Sequence, residues 1–273
     1  MKSTSTRMLG AVLLTLSGLT SGACARTLCT IAVDAASGKV VTQSGECNTR
    51  VTPASTFKIA LSLMGFDSGF LKDEHHPALA FRPGDPDWGG QDWTQDTDPA
   101  RWMKYSVVWY SQRITHALGA QRLQRYAQAF GFGNADLSGD PGLDNGLERA
   151  WISSSLKISP AEQIAFLRKL AMRTLPVSAQ ALDMTYRITT LTPLAEGWEL
   201  HGKTGAAFPR LPDGSNDRAR GYGWFVGWMS RGDKTVVFVR LTQDERLEQG
   251  SPGIRARDAF LKELPGIGAA ALH

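Results

Sequence analysis

The order of elements along this chain predicts an α+β fold, with one antiparallel sheet drawn from strands near both ends and a helical region inserted between them. Three observations predict it. Runs rich in β-branched and aromatic residues stand at Cys29 to Val33 and Lys39 to Gln43, and again at Gly197 to Thr204, Tyr222 to Met229 and Thr235 to Thr242. Between these groups the apolar period is helical. A closing amphipathic segment, Ile254 to Leu264, supplies a last helix to cover the sheet.

The first 25 residues stand apart from this pattern. Lys2 and Arg7 make a positive start, Leu9 to Leu19 is a short apolar run, and Ala23-Cys24-Ala25 is a small-residue cleavage pattern. That order reads as a secretory signal peptide, residues 1–25, cleaved after Ala25. A retained anchor and a lipoprotein on Cys24 are the alternatives. The run is short for a bilayer span, and Ser21 stands where a lipoprotein would carry a large aliphatic residue. Export to the periplasm is therefore expected, with no membrane attachment after cleavage. Residues 26–273 suffice for one large domain with a sizeable core, its helical region at about 66–192. The formal net charge of +4 is mild and no Lys/Arg run occurs, which argues against a nucleic acid partner.

Cys29 and Cys47 remain after cleavage, an even count in an exported chain. They flank the first two strand-like runs, with Ser37-Gly38 as the turn between, so the thiols are expected to face each other and close a disulfide in an oxidising compartment. Two free buried thiols are the alternative.

Pro53-Ala54-Ser55 precedes the apolar segment Phe57 to Phe66, a helix expected to start at or beside Ser55 and to end near Gly69. Residues 77–100 are rich in Pro, Gly, Asp and Trp and read as an ordered surface loop in which Phe81, Trp88 and Trp93 bury. Val107 to Leu118 and Gln121 to Phe130 read as helices broken at Gly119 and ended by Gly131 and Gly133. Ser159-Pro160-Ala161-Glu162 is a capping box with proline at the first helical position, heading a helix to about Arg173. Ser178 to Ile188 is another.

The chemistry-bearing signals are two. In Ser55-Thr56-Phe57-Lys58 the serine and lysine are three apart, hence on one helical face. A serine hydroxyl needs a base to become nucleophilic, and a lysine serves only when burial strips its charge. A helix N-terminus also presents N–H groups to a developing oxyanion. The second signal, Lys203-Thr204-Gly205, ends a predicted strand; a cation, a hydroxyl and a close backbone approach suit a substrate carboxylate. Each is weak alone. Together, about 150 residues apart and in this order, they match the acyl-transfer signature of β-lactamases and penicillin-binding proteins.

The element between them is Ser106-Val107-Val108, and with it the chain resembles the class D β-lactamases, the oxacillinases. Their pattern is S-T-F-K, S-x-V, Y-G-N, W-x-x-x-x-L-x-I-S and K-T-G. Here Phe132-Gly133-Asn134 stands for the third, and Trp151 through Leu156 to Ile158-Ser159 for the fourth. The resemblance implies a β-lactamase/transpeptidase-like fold and hydrolysis of the β-lactam amide through a Ser55 acyl-enzyme, conferring antibiotic resistance. It implies that Lys58 is carbamylated by carbon dioxide, as N6-carboxylysine, and is the general base. Trp151 would donate its indole N–H to the carbamate, Ser106 would pass a proton to the leaving nitrogen, and Val108 and Ile152 would wall the pocket. The backbone N–H groups of Ser55 and Ala206 would form the oxyanion hole. Lys203, Thr204, Gly205 and an arginine after the last strand would bind the substrate, with Arg255 the positional candidate and Arg257 the alternative.

Two departures matter. Phe132 lacks the hydroxyl of the family tyrosine, and Ala206 replaces a frequent aromatic, so roles tied to those groups do not carry over. No cofactor beyond carbon dioxide or bicarbonate is implied. The histidines, His75, His76, His116, His201 and His273, show no zinc-ligand spacing, and His201 reads as structural. The partner is a small β-lactam; a homodimer stays open. A penicillin-sensing domain that acylates once and a cell-wall peptidase share the superfamily motifs and are the competing readings. Which β-lactams are accepted is set by loop shapes that no spacing rule gives.

Overall fold

The computed structural model describes residues 25–272, so the expected signal peptide, residues 1–25, lies outside the described residues except for Ala25. Five strands form one antiparallel sheet: β1 (Arg26–Asp34), β2 (Val40–Gly45), β3 (Glu199–Ala207), β4 (Tyr222–Arg231) and β5 (Lys234–Gln243), in the order β2-β1-β5-β4-β3. Two terminal strands thus zip onto three that come about 150 residues later, the α+β arrangement expected. β5 lies at the centre, and its run Val236 to Thr242 is buried on both faces.

Helices cover the two faces unequally. Between β2 and β3 come α1 (Phe57–Asp67), α2 (Pro99–Tyr105), α3 (Val108–Leu118), α4 (Ala120–Phe130), α5 (Gly146–Arg149), α6 (Pro160–Ala171) and α7 (Ala179–Thr189). They build the larger core against Ile31, Val33, Trp224, Val226, Val237 and Val239. After β5, α8 (Pro252–Phe260) and α9 (Leu264–Ala271) cover the opposite face over Phe225, Met229, Phe238 and Trp198. Among the described residues no helix is long and apolar enough to cross a membrane.

Cys29 and Cys47 are disulfide-bonded. Their geometry differs from simple symmetry about Gly38: a bulge after Ala32 sets Cys29 opposite Gly45, and Cys47 folds back beyond the end of β2. A bridge closing a loop of 18 residues is worth about 3 kcal/mol in chain entropy.

Three expectations are corrected. Trp88 is 63% exposed, lying over the outside of buried Trp93, so only Phe81 and Trp93 pack inward from that loop. The loop also gives way earlier than expected to α2, whose start is fixed by Asp98 accepting the Arg101 N–H and by Pro99 in the first turn. The single closing helix is two, because Pro265 lacks the N–H that would continue α8 and instead opens α9.

Candidate active site

Ser55 sits on a 3₁₀ turn, Ala54–Thr56, that feeds directly into α1. The turn begins under strain, with Ala54 at φ 49°, a region costly for any residue but glycine. Neighbours hold it there. Thr56 Oγ1 donates to the Pro53 carbonyl at 2.7 Å and accepts from Gln163 Nε2 of α6 at 2.9 Å. One turn on, Lys58 Nζ stands 3.4 Å from Ser55 Oγ. α1 is buried from Phe57 to Phe66, and Lys58 is 1% exposed. Burial drives its pKa well below the ordinary lysine value, and the charge of Lys203 adds to the effect.

Lys203, Thr204 and Gly205 lie on β3, the edge strand facing the helical region. Gly205 has a different reason from the one expected. A Cβ there would come within 2.9 Å of the Pro53 carbonyl oxygen and 3.0 Å of Thr56 Cγ2, so what approaches closely is the Ser55 turn itself. On the other side α8 presses in: a Cβ on Gly253 would stand 2.4 Å from the Gly205 carbonyl oxygen. Exposed Ala206 follows on the same edge. Lys203 is 6% exposed, its pKa pushed down to about 7 by burial and, secondarily, by Arg257.

The two arginines part company. Arg255 Nη2 donates to Asp244 Oδ2 at 2.6 Å, and Nη1 donates to the carbonyls of Gln249 and Gly250. It pins the loop after β5. Arg257 lines a cavity of about 350 Å³ with Lys203, Thr204, Met103 and Lys104, between the β3 edge, α2 and α7. Asp244 is a buried acid that needs a cation, which accounts for its pairing with Arg255.

The remaining motif residues come from turns. Ser106 ends α2 in the left-handed conformation, φ 62°, its N–H donating to the Trp102 carbonyl. Val108, 5% exposed, opens α3. Trp151, 1% exposed, packs its ring 5.7 Å from that of Phe57, the residue before Lys58. Ile152 next to it is half-buried. Phe132 is fully buried between Phe57 and Phe166, ring centroids 5.3 and 5.2 Å away, where a hydroxyl would have to find a partner among aromatics. Asn134 grips the backbone of the Trp151 loop, donating to the Ser155 carbonyl and accepting from the Lys157 N–H, both at 2.9 Å.

Sequence reasoning missed three residues. Thr52 Oγ1 donates to the Trp151 carbonyl at 2.9 Å. Ser153, at φ 53°, donates its hydroxyl to the Phe208 carbonyl at 2.8 Å. Gln163 supports Thr56 from α6. All three contacts span 55 residues or more, and no local pattern announces them. His201 is packed against Trp228, ring planes 7° apart, its Nδ1 3.0 Å from the Tyr186 carbonyl oxygen. Among the described residues no cluster of His, Cys, Asp or Glu could hold a metal.

A half-buried serine with a buried lysine one turn on, at the head of a helix and facing a K-T-G edge strand of an antiparallel sheet, defines a serine acyl-transfer protein. The penicillin-binding-protein transpeptidase domain matches residues 28–265. The chain is 42% identical over 238 residues to β-lactamase OXA-9 of Klebsiella pneumoniae, covering 87% of this chain and 86% of that one. It is 39% identical over 214 residues to β-lactamase OXA-1 of Escherichia coli, covering 77% and 74%. The crystal structure of OXA-427 class D β-lactamase superposes with a TM-score of 0.82 at 50% identity, covering 87% of this chain and 97% of that one. The chain belongs to the class D serine β-lactamases.

Proposed function

We propose that this protein hydrolyses β-lactams through an acyl-enzyme on Ser55. The observation that carries the reading is the Lys58 amine, buried, its pKa driven well below the ordinary lysine value, 3.4 Å from the Ser55 hydroxyl. The forces on that amine are burial and a second lysine, with no acid among them, so it fits carbon dioxide, which bonds only a neutral amine. When bound, carbon dioxide makes Lys58 a carbamate, an anionic base beside Ser55.

The chain's own groups do the rest. Ser55 Oγ bonds the ring carbonyl carbon as its proton leaves, and the ring C–N bond then breaks. The Ser106 hydroxyl carries a proton to the departing nitrogen. Water next attacks the ester carbon, the C–O bond breaks, and Ser55 regains its proton. The Ser55 and Ala206 N–H groups hold the oxyanion, each such donor lowering the barrier by about 3 kcal/mol. The Trp151 indole, a donor only, suits an anion at Lys58, while Val108 and Ile152 keep that pocket apolar. Lys203, Thr204 and Arg257 take the substrate carboxylate. Residues 26–273 act as one catalytic domain with the helical region 66–192 as one wall of the cleft, and residues 1–25 direct export to the periplasm, where drug destruction confers resistance.

The experiment is hydrolysis of a chromogenic cephalosporin by the purified protein with and without bicarbonate. Turnover that rises with bicarbonate supports the reading. Intact substrate in both conditions refutes it, and an acyl adduct persisting for hours would mark a binding-only sensor instead.

A further inference from the structure

Trp151 belongs to no regular element. α5 ends at Arg149, and residues 150–153 form a turn that leaves the direction of the indole to whatever holds the backbone there. The turn is costly, because Ser153 adopts a left-handed φ of 53° and non-glycine residues stay there only when their surroundings over-determine them.

Phe208 and Arg210 hold the far side of Ser153, through its hydroxyl and its carbonyl, and the group that holds the side toward Trp151 is Thr52, which is 7% exposed and three residues ahead of Ser55. Its Oγ1 donates to the Trp151 carbonyl at 2.9 Å and accepts from the Ser153 N–H at 3.1 Å. One hydroxyl thus spans the turn as both donor and acceptor. Thr52 is itself anchored, since its carbonyl accepts from the Trp224 indole of β4 at 3.0 Å, and Val51 beside it exchanges two backbone hydrogen bonds with Ile158. The nucleophile turn, the Trp151 segment and the sheet therefore meet at a single residue. A buried threonine that served only to fill space would not need both of its hydrogen-bonding roles on one strained turn.

We propose that Thr52 is a positioning residue that acts through Trp151, fixing the indole against Phe57, the residue before Lys58, and so setting how tightly Lys58 retains carbon dioxide. The inference rests on the carbamate reading of Lys58. Without the hydroxyl, the Trp151 carbonyl and the Ser153 N–H lose their shared partner, and the turn is held at Ser153 by Phe208 and Arg210 alone, so the Trp151 end can shift. The Trp151 ring turns with it.

The test follows carbamate directly, by ¹³C NMR of the full mature protein titrated with ¹³C-bicarbonate, in the wild type, Thr52→Val and Thr52→Ser. Thr52→Val keeps the shape and loses the hydroxyl; it should need about tenfold more bicarbonate for half-carbamylation. Thr52→Ser restores the hydroxyl and should lie within about twofold of the wild type. At saturating bicarbonate the kcat of Thr52→Val should recover while KM stays unchanged, a split that general loss of structure does not produce. Should Thr52→Val not fold, Thr52→Ala carries the same comparison. Half-carbamylation at the wild-type concentration in the hydroxyl-less variant overturns the role of Thr52. A wild type with no carbamate signal at any bicarbonate concentration overturns the carbamate reading itself, and the inference with it.

Discussion

The charge of Lys203 bears on Lys58 and, with burial, favours the neutral form of the amine beside Ser55. The cation proposed to meet the substrate carboxylate and the amine proposed to act as base are thereby coupled. Burial is the larger cause at both positions, and for Lys203 it brings the pKa to about 7. The sign of the resulting stability change follows from proton counts. An unfolded lysine keeps its proton up to about pH 10.4, while native Lys203 loses it near 7. Between those values the unfolded chain binds more protons, so stability rises with pH across that window. Urea midpoints are expected to climb from about pH 7 to 9.5, below tyrosine ionisation, and to climb less steeply in Lys203→Met. An unchanged slope in the variant would mean that Lys203 is not the group titrating.

The spacing of Ser55 and Lys58 divides their labour. Ser55→Ala removes the hydroxyl at hydrogen-bonding range of the Lys58 amine and should abolish turnover. Lys58→Ala keeps the nucleophile but not the base, a loss of about 10³-fold that falls mainly on cleavage of the ester. Intact-protein mass spectra should show a penicillin adduct lasting on Lys58→Ala and none on Ser55→Ala. An adduct-free Lys58→Ala would place the lysine in acylation alone.

Much of this site was legible before any coordinates. Ser55 and Lys58 meet because helical spacing brings residues three apart onto one face, and the capping box at Ser159 and Glu162 forms as written. Local patterns failed wherever a distant group decided the outcome. Gly205 reads as room for substrate until the Ser55 turn and Gly253 are seen on either side of it. The pairing of Arg255 with buried Asp244 is not announced by the neighbours of either residue, and Thr52 reads as nothing because its partners are 99 and 101 residues away.

The arginines can be separated by what each loses. Arg257→Ala removes a cation from the cavity beside Lys203 and Thr204, and should raise KM for a penicillin about tenfold with little change in melting temperature. Arg255→Ala instead strands Asp244, which is 3% exposed. With Arg255 itself partly exposed, the cost should be about 2 kcal/mol, below that of a fully buried pair. Its signature is a lower melting temperature at near-normal KM. The reverse pattern in the two variants would return the substrate carboxylate to Arg255.

Gly253 offers a way to disturb the cleft without touching a group that meets substrate. It lies in the first turn of α8, on the side of β3 away from Ser55, and a methyl there would collide with the Gly205 backbone at 2.4 Å. The helix cannot simply retreat, because the adjoining Pro252 backbone is equally close to β4, with a Cβ on Gly223 falling 2.3 Å from its carbonyl oxygen. The strain must move β3, and β3 at Gly205 bears on the Pro53 and Thr56 backbone that frames Ser55. A displacement of about 1 Å at reacting atoms costs up to about 10²-fold in rate. Gly253→Ala should therefore lower kcat at least tenfold by this reasoning while leaving far-ultraviolet dichroism unchanged. Wild-type kcat in a folded Gly253→Ala protein would show that β3 does not transmit the push, and that the Ser55 turn is held by α1 and α6 alone.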